Sequence, residues 1–530
     1  MRDFRRPYRC LQTMQPIAVR QIEEDCETSI ARPLHPTIRY LMPSRTRKPI
    51  DISAAARKLL GFKSLRPGQR EAIQSLLEGR DTLLVQPAGA DKSAVYQIAG
   101  SLLSGSTVII SPLLALQKDQ AESMQASHLD ETAVLNSTLS ASEYEEILDR
   151  IEQGEIEFIF LAPEQLRNPE ILERLSNAGI SLFAIDEAHC IGHWGHDFRP
   201  DYLEIARVIE ALDHPVVLAM TGTASKEVRV EITERLGMRD PRVLVHGFDR
   251  PNISLRVDLF SEEDEKLEAV VKRVEFAEKP GVVYVATHKH AEALAKELKD
   301  RGVEAVAYHG GLKAKDRDEI QDRFMRGDVP VIVATNAFGM GVDKPDIRFV
   351  YHADVSDSVD AYYQEVGRAG RDGEPAEAVL FYRPGDISAQ RYKTGAGRVN
   401  SADMQAITDA LALKDKSASP RELSNDTGLS QRKVISIVHK LEEAGAAAKL
   451  DSGEIKLVQK TTPAQMIEAA SEQQQVLKQL RTRRLQQMQQ YAEGRSCRRA
   501  FLLRYFGEDF SGPCGNCDRC EAMGEVAVAR

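Results

Sequence analysis

Aromatic residues make up only 6% of this chain, and there is a single tryptophan, Trp194. Other scarcities narrow its function. No uninterrupted apolar stretch is long enough to cross a bilayer. The start, Met1-Arg2-Asp3-Phe4-Arg5-Arg6, is basic but lacks the apolar segment of a secretory signal, so a soluble cytoplasmic protein is expected. Positive charge is in deficit: 70 Lys and Arg face 80 Asp and Glu, leaving a net charge of −10. This argues against a passive DNA-coating protein, while local basic grooves remain compatible with nucleic acid. Cysteine is sparse, and Cys10, Cys26 and Cys190 read as ordinary thiols among the 7 present. What remains is an ordinary globular composition, 42% hydrophobic and 28% charged, over a length suggesting roughly three or four domains.

Residues 1–50 show no sustained periodicity and read as a poorly ordered extension. From Leu59 onward, apolar runs alternate with helical patterns: Thr82–Val85, Thr107–Ile110, Ala133–Leu135, Phe158–Ala162, Leu182–Ile185 and Val216–Met220. A second series comprises Val282–Val285, Ala305–Tyr308, Val331–Ala334, Phe349–His352 and Ala378–Tyr382. Strands separated by helix-length segments predict parallel sheets covered on both faces. The expected fold is therefore α/β, with one lobe over 51–238, a second over 239–397 and a cleft between them. Beyond these, 398–460 reads as helix, turn, helix and a hairpin at Ser452-Gly453, a winged-helix-like pattern. Arg432 and Lys433 begin its second helix, where they would meet DNA. A packing domain without DNA contact fits that segment equally well. Residues 461–530 read as a helical module ending in a cysteine cluster.

Fifteen residues, Asp186 to Pro200, carry the most chemistry. Asp186 and Glu187 follow a buried strand, at the end where open α/β sheets bind ligands. One acid can hold a metal ion and its neighbour can polarise a water. Directly behind them, Trp194, His196, Phe198 and Arg199 interleave rings with cationic groups, a platform for stacking bases. The turn Gln86-Pro87-Ala88-Gly89-Ala90-Asp91-Lys92-Ser93 follows a strand and ends in Lys-Ser, as phosphate-cradling loops do. There Gly89 and the backbone hold phosphates, Lys92 reaches the β- and γ-phosphates of ATP, and Ser93 ligates Mg²⁺. Asp91 stands where that pattern has glycine. A carboxylate about 4 Å from a phosphate costs on the order of 4 kcal/mol at an effective dielectric of about 20. Weak or absent ATP turnover is one expectation; an Asp91 turned outward is the other. Upstream, Phe62, Arg66 and Gln69 form a set able to sandwich and read an adenine. Arg368 and Arg371 are three apart, predicting one helix face aimed at a cleft. Cys497, Cys514, Cys517 and Cys520 have four-thiolate zinc spacing, predicting a closed structural site.

Together these segments resemble the RecQ family of superfamily 2 DNA helicases, over about residues 59–395 plus the cysteine cluster. The resemblance rests on Arg66-Pro67-Gly68-Gln69, Ser111-Pro112-Leu113 with Lys118-Asp119-Gln120, and Asp186 to Pro200. It rests further on Thr221 to Ala224, Phe248 to Asn252, Tyr308 to Leu312 and Gly367 to Gly373. It implies two RecA-like lobes and ATP, Mg²⁺ and Zn²⁺ as cofactors. Asp186 then binds Mg²⁺, Glu187 activates the attacking water, and Gln364, Arg368 and Arg371 complete the ATP site. Trp194 and Phe198 would couple DNA binding to hydrolysis, with 3′-to-5′ polarity, on single strands and duplex junctions, in a monomer serving repair or recombination. Departures are Ala88 and Asp91 for threonine and glycine, Gly192-His193 for Ser-Gln, and a winged-helix-like segment preceding the cysteines instead of following them. The alternative is a DNA-binding protein on this scaffold with little or no ATPase. An RNA remodeller is a third reading.

Overall fold

The computed structural model describes residues 51–524, apart from 88, 90, 113, 127–130, 137–138, 193–199, 340–341, 396–400, 414–416, 444–446, 451–453 and 458–462. The extension expected over 1–50 and the hairpin turn at Ser452-Gly453 lie outside the described residues.

The first sheet holds β1 (Thr82–Val85), β2 (Ser106–Ile110), β3 (Thr132–Leu135), β4 (Phe158–Leu161), β5 (Ile180–Ile185), β6 (Val216–Thr221) and β7 (Arg242–Val245). Their order is β3-β4-β2-β5-β6-β1-β7, all parallel. Central strands such as Thr82-Leu83-Leu84-Val85 are buried throughout, as strands covered on both faces must be. Alternation along the strand sends Leu83 and Val85 into one core and Leu84 into the other. The helix Ser93–Leu102 presses on this sheet through Gly100. A Cβ there would lie 2.5 Å from Oγ1 of Thr107 and 2.7 Å from the Phe158 ring.

The second sheet comprises β8 (Ile253–Leu259), β9 (Gly281–Tyr284), β10 (Ala305–Tyr308), β11 (Val331–Ala334), β12 (Phe349–His352) and β13 (Ala376–Tyr382). Its order is β10-β11-β9-β12-β13-β8, again parallel. The expected boundary at 238/239 moves: Arg242–Val245 pairs with Thr82–Val85, so the first lobe continues through β7.

The winged-helix-like segment has the helices Ser401–Ala412, Pro420–Thr427 and Gln431–Glu443, then the antiparallel β14 (Ala447–Lys449) and β15 (Ile455–Leu457). Ser419 and Glu422 form a reciprocal capping box, with Pro420 at the first helical position and Gly428 closing the helix in left-handed conformation. Val434, Ile437 and Leu441 bury against Ile407 and Leu423.

One helix, Pro463–Glu493, then leads into Arg498–Phe506 and Asp518–Ala522. A single apolar core runs from the first lobe through the second into this last module, joining Phe248, Tyr362, Tyr491 and Phe506. Among the described residues, no helix is long and apolar enough to cross a membrane.

Candidate functional site

The phosphate-loop segment begins at the carboxyl end of β1. Gly89 has φ +80° and Asp91 φ +51°, so the loop turns twice through left-handed backbone. Asp tolerates that region better than most side chains. The Asp91 carboxylate turns outward, 2.8 Å from Nη2 of Arg66, and both side chains are about half exposed. Gln69 is buried and fastens the two segments: its Nε2 donates to the Asp91 carbonyl at 2.9 Å, and its Oε1 accepts the Arg66 N–H at 2.8 Å. The amide expected to read adenine is thus engaged with the loop in this structure. Phe62 packs, half-buried, on the first-lobe core. Lys92 precedes Ser93, the first residue of the helix.

Two strands away, β5 delivers Asp186 beside this loop. Its N–H donates to Ile110 at 2.8 Å and its carbonyl accepts the Tyr202 hydroxyl at 3.0 Å, fixing the backbone. The Asp186 carboxyl is buried and pushed up to about 6, first by desolvation and next by Glu187, against the opposing pull of Lys92. Such a desolvated carboxylate is suited to a cation. Glu187 adopts φ +47°. His189 Nδ1 lies 3.2 Å from Glu187 Oε2 and 2.9 Å from Thr221 Oγ1, and that hydroxyl donates to the Thr223 carbonyl at 3.1 Å. His189 and Thr221 were given no role from sequence. Their signal was their place in Asp-Glu-Ala-His and Thr-Gly-Thr-Ala. Trp194, His196, Phe198 and Arg199 lie outside the described residues.

The second lobe brings Arg371 to the phosphate-loop segment, with the Arg368 guanidinium near enough to act on its charge. Its helix Val359–Val366 carries Gln364 and is held by Glu365, which accepts from Ser356 Oγ at 2.7 Å and contacts His352 Nε2 at 2.8 Å. Arg368 and Arg371 do not share a helix face as expected. The helix ends at Val366, and both sit in the turns that follow, where Gly370 takes φ +52°. Those turns are gripped by the connection between lobes: Arg250 donates to the carbonyls of Ala369 and Gly370 at 2.8 Å each, and Asn252 donates to Gly370 at 2.8 Å. Sequence reasoning assigned neither residue. Arg368 is buried. Arg371 donates to the Val342 carbonyl at 3.1 Å and pairs with Asp343. Its Cδ and Nε lie 3.6 and 3.9 Å from the position of a Cβ on Gly89, so the stem of a second-lobe arginine rests against the first-lobe loop. Burial, then Arg368, draws the Arg371 guanidinium below its usual value.

The four cysteines converge as expected. Their sulfurs lie within 4.8 Å of one another, with Cys514–Cys520 at 3.9 Å and Cys497–Cys517 at 4.0 Å. A tetrahedral zinc with bonds of about 2.3 Å requires edges of roughly 3.8 Å, so the donor set fits. Arg498 braces the site with a two-pronged contact to Asp518, 2.9 Å on each arm. Arg499 donates to Asp249 at 3.0 Å and to Ile253 at 2.7 Å, and Arg229 of the first lobe donates to the Phe506 carbonyl at 2.8 Å. Phe506 stacks on Phe248 at 4.5 Å and meets Tyr363 at 4.8 Å. In the winged-helix-like segment, Lys433 pairs with Asp403 at 2.7 Å and stays about half exposed. Arg432 lies in the helix Gln431–Glu443, its side chain outside the described ones.

Comparison with known proteins agrees with this geometry. Residues 66–230 match the DEAD/DEAH box helicase family, 265–373 the helicase conserved C-terminal domain and 459–521 the RecQ zinc-binding family. The chain is 36% identical over 473 residues to a probable ATP-dependent DNA helicase RecS of Bacillus subtilis, covering 88% of this chain and 90% of that protein. It is 34% identical to ATP-dependent DNA helicase RecQ of Pasteurella multocida over 87% of its own length and 61% of that relative's. Among solved structures, helicase Lhr of Mycobacterium smegmatis bound to ssDNA and AMP-PNP superposes with a TM-score of 0.50 at 19% identity, over 79% of this chain and 61% of that one. That last likeness concerns the fold alone. With two parallel-sheet lobes, a four-cysteine module and a relative matched over nine-tenths of its length, the chain belongs to the RecQ family of superfamily 2 DNA helicases.

Proposed function

We propose that this protein is an ATP-dependent DNA helicase that moves 3′ to 5′ on single strands and at duplex junctions, serving repair or recombination. The observation that carries the reading is the approach of Arg371 to Gly89, because a γ-phosphate between the lobes would meet a cation from each. ATP with Mg²⁺ would supply the energy of phosphoryl transfer. In this reading Lys92 and the loop amides hold the phosphates, Ser93 and Asp186 hold the metal ion, and Glu187 orients the attacking water. Gln364 orients the nucleotide from the second lobe. Arg368 and Arg371 offset charge that develops on the transferred group. Phe62 and Gln69 border the base, with Arg66 beside them held on Asp91 and not touching the nucleotide, while Trp194, His196, Phe198 and Arg199 meet DNA, with Arg432 and Lys433 as an outlying contact. The zinc module is structural, since four thiolates leave no open coordination position. Polarity rests on family membership. The proposed limits are 51–246 and 247–397 for the lobes, 398–460 for the winged-helix-like domain and 461–530 for the zinc module, in a cytoplasmic monomer.

Strand displacement tests this directly. A duplex with a 3′ single-stranded tail should be opened with ATP and Mg²⁺, a 5′-tailed one should not, and Lys92→Ala should abolish both opening and DNA-stimulated ATP hydrolysis. Displacement that proceeds without ATP, or only from a 5′ tail, contradicts the proposal.

A further inference from the structure

The loop that ends in Lys92 has an aspartate where phosphate-cradling loops have glycine, and that aspartate has a defined partner. Asp91 keeps the left-handed backbone a glycine would take, φ +51°. Its carboxylate points at Arg66, 2.8 Å away. The segment carrying Arg66 is pinned to the loop independently, by Gln69 to the Asp91 carbonyl at 2.9 Å and by Gln86 Nε2 to the Pro67 carbonyl at 2.6 Å. Geometry, not a chance surface encounter, brings the two charges together. The pair is half exposed and so adds little to folding. Its consequence is the charge that a ligand meets.

We propose that Arg66 is the counter-ion of Asp91: a positioning residue that neutralises the carboxylate and holds it away from the phosphates of a bound nucleotide. The proposal rests on the nucleotide-site reading above. Arg66 then acts on the nucleotide through Asp91, and an aspartate at this position is compatible with binding only while the pair is intact.

Equilibrium binding of ADP with Mg²⁺ tests this on four full-length proteins: the unmodified chain, Arg66→Ala, Asp91→Gly and the double variant. Arg66→Ala should weaken ADP binding about tenfold or more when Asp91 is present, and less than about threefold when Asp91→Gly accompanies it, because only a bare carboxylate repels phosphate. Arg66→Lys, which keeps the charge, should retain most of the affinity beside Asp91. Raising the salt should narrow the gap between the two losses. Equal losses in both backgrounds overturn the counter-ion role. A larger loss with Asp91→Gly also overturns it, by showing that Arg66 touches the nucleotide itself. If none of the four proteins binds ADP, the nucleotide-site reading falls as well, an outcome distinct from binding with equal losses.

Discussion

Asp354 shows how a single residue ties segments of the second lobe together. It follows β12 and accepts the Ala286 N–H at 2.7 Å and a contact from His290 Nδ1 at 2.8 Å, with Lys266 at 3.8 Å. Burial alone would raise its carboxyl, but His290, the Ala286 amide and Lys266 override that and hold it down at about 2. A depressed carboxyl contributes stability above the ordinary carboxylate range, lost as pH falls through the folded value. The contribution is about 2 kcal/mol at neutral pH. Asp354→Asn should therefore lower stability at pH 7 by that order, and denaturant titrations should show its gap from the unmodified chain closing between about pH 4 and pH 2. A gap constant over that window refutes the assignment. At this scale the sequence was legible for chemistry but not for partners. Asp186, Lys92 and Arg371 could be named from their motifs. That Asp91 would face Arg66, or that Arg250 would hold the turn carrying Arg371, depends on segments brought together only by folding.

Among the elements, the buried strands were readable because both faces are covered and their residues are almost wholly apolar. The two missed strands, β7 and β8, stand at the edges of their sheets. β7 is only four residues long and opens on Arg242, while β8, Ile253 to Leu259, alternates apolar with polar residues as a strand covered on one face does, unlike the continuous apolar runs of the central strands. The arginine pair was misplaced on a helix for a related reason. Gly367 and Gly370 end the helix and coil the chain, but a three-residue spacing alone looks helical. Close helix–sheet packing yields a prediction: Gly100→Leu would drive a side chain into Thr107 and Phe158 and should destabilise the first lobe by about 1–3 kcal/mol, read as a lowered melting temperature. For the zinc module, metal analysis should find one zinc per chain, and Cys517→Ser should nearly abolish it. Structural zinc sites supply roughly 10–16 kcal/mol of folding free energy, so the same variant should melt far earlier. Full zinc content in Cys517→Ser would contradict the four-thiolate assignment.

The molecule as a whole is arranged so that one cleft depends on three modules. The first lobe supplies the loop with Lys92, the second supplies Arg371, and the zinc module clasps the connection between them through Phe506 on Phe248 and Arg499 on Asp249. The sequence foretold two lobes with a cleft, because two strand series imply it. That Arg368 and Arg371 would complete a site on the first-lobe loop was implied by the family resemblance, while the particular contact of Arg371 with Gly89 follows from no local pattern. That contact is the core of the account, and steady-state DNA-stimulated ATP hydrolysis by Arg371→Ala tests it most directly. The prediction is a fall in kcat of about a hundredfold or more, with KM for ATP changed only a few-fold, as expected for a cation that acts mainly on the transition state. An unchanged kcat would show that the second-lobe arginine does not act on the first-lobe loop.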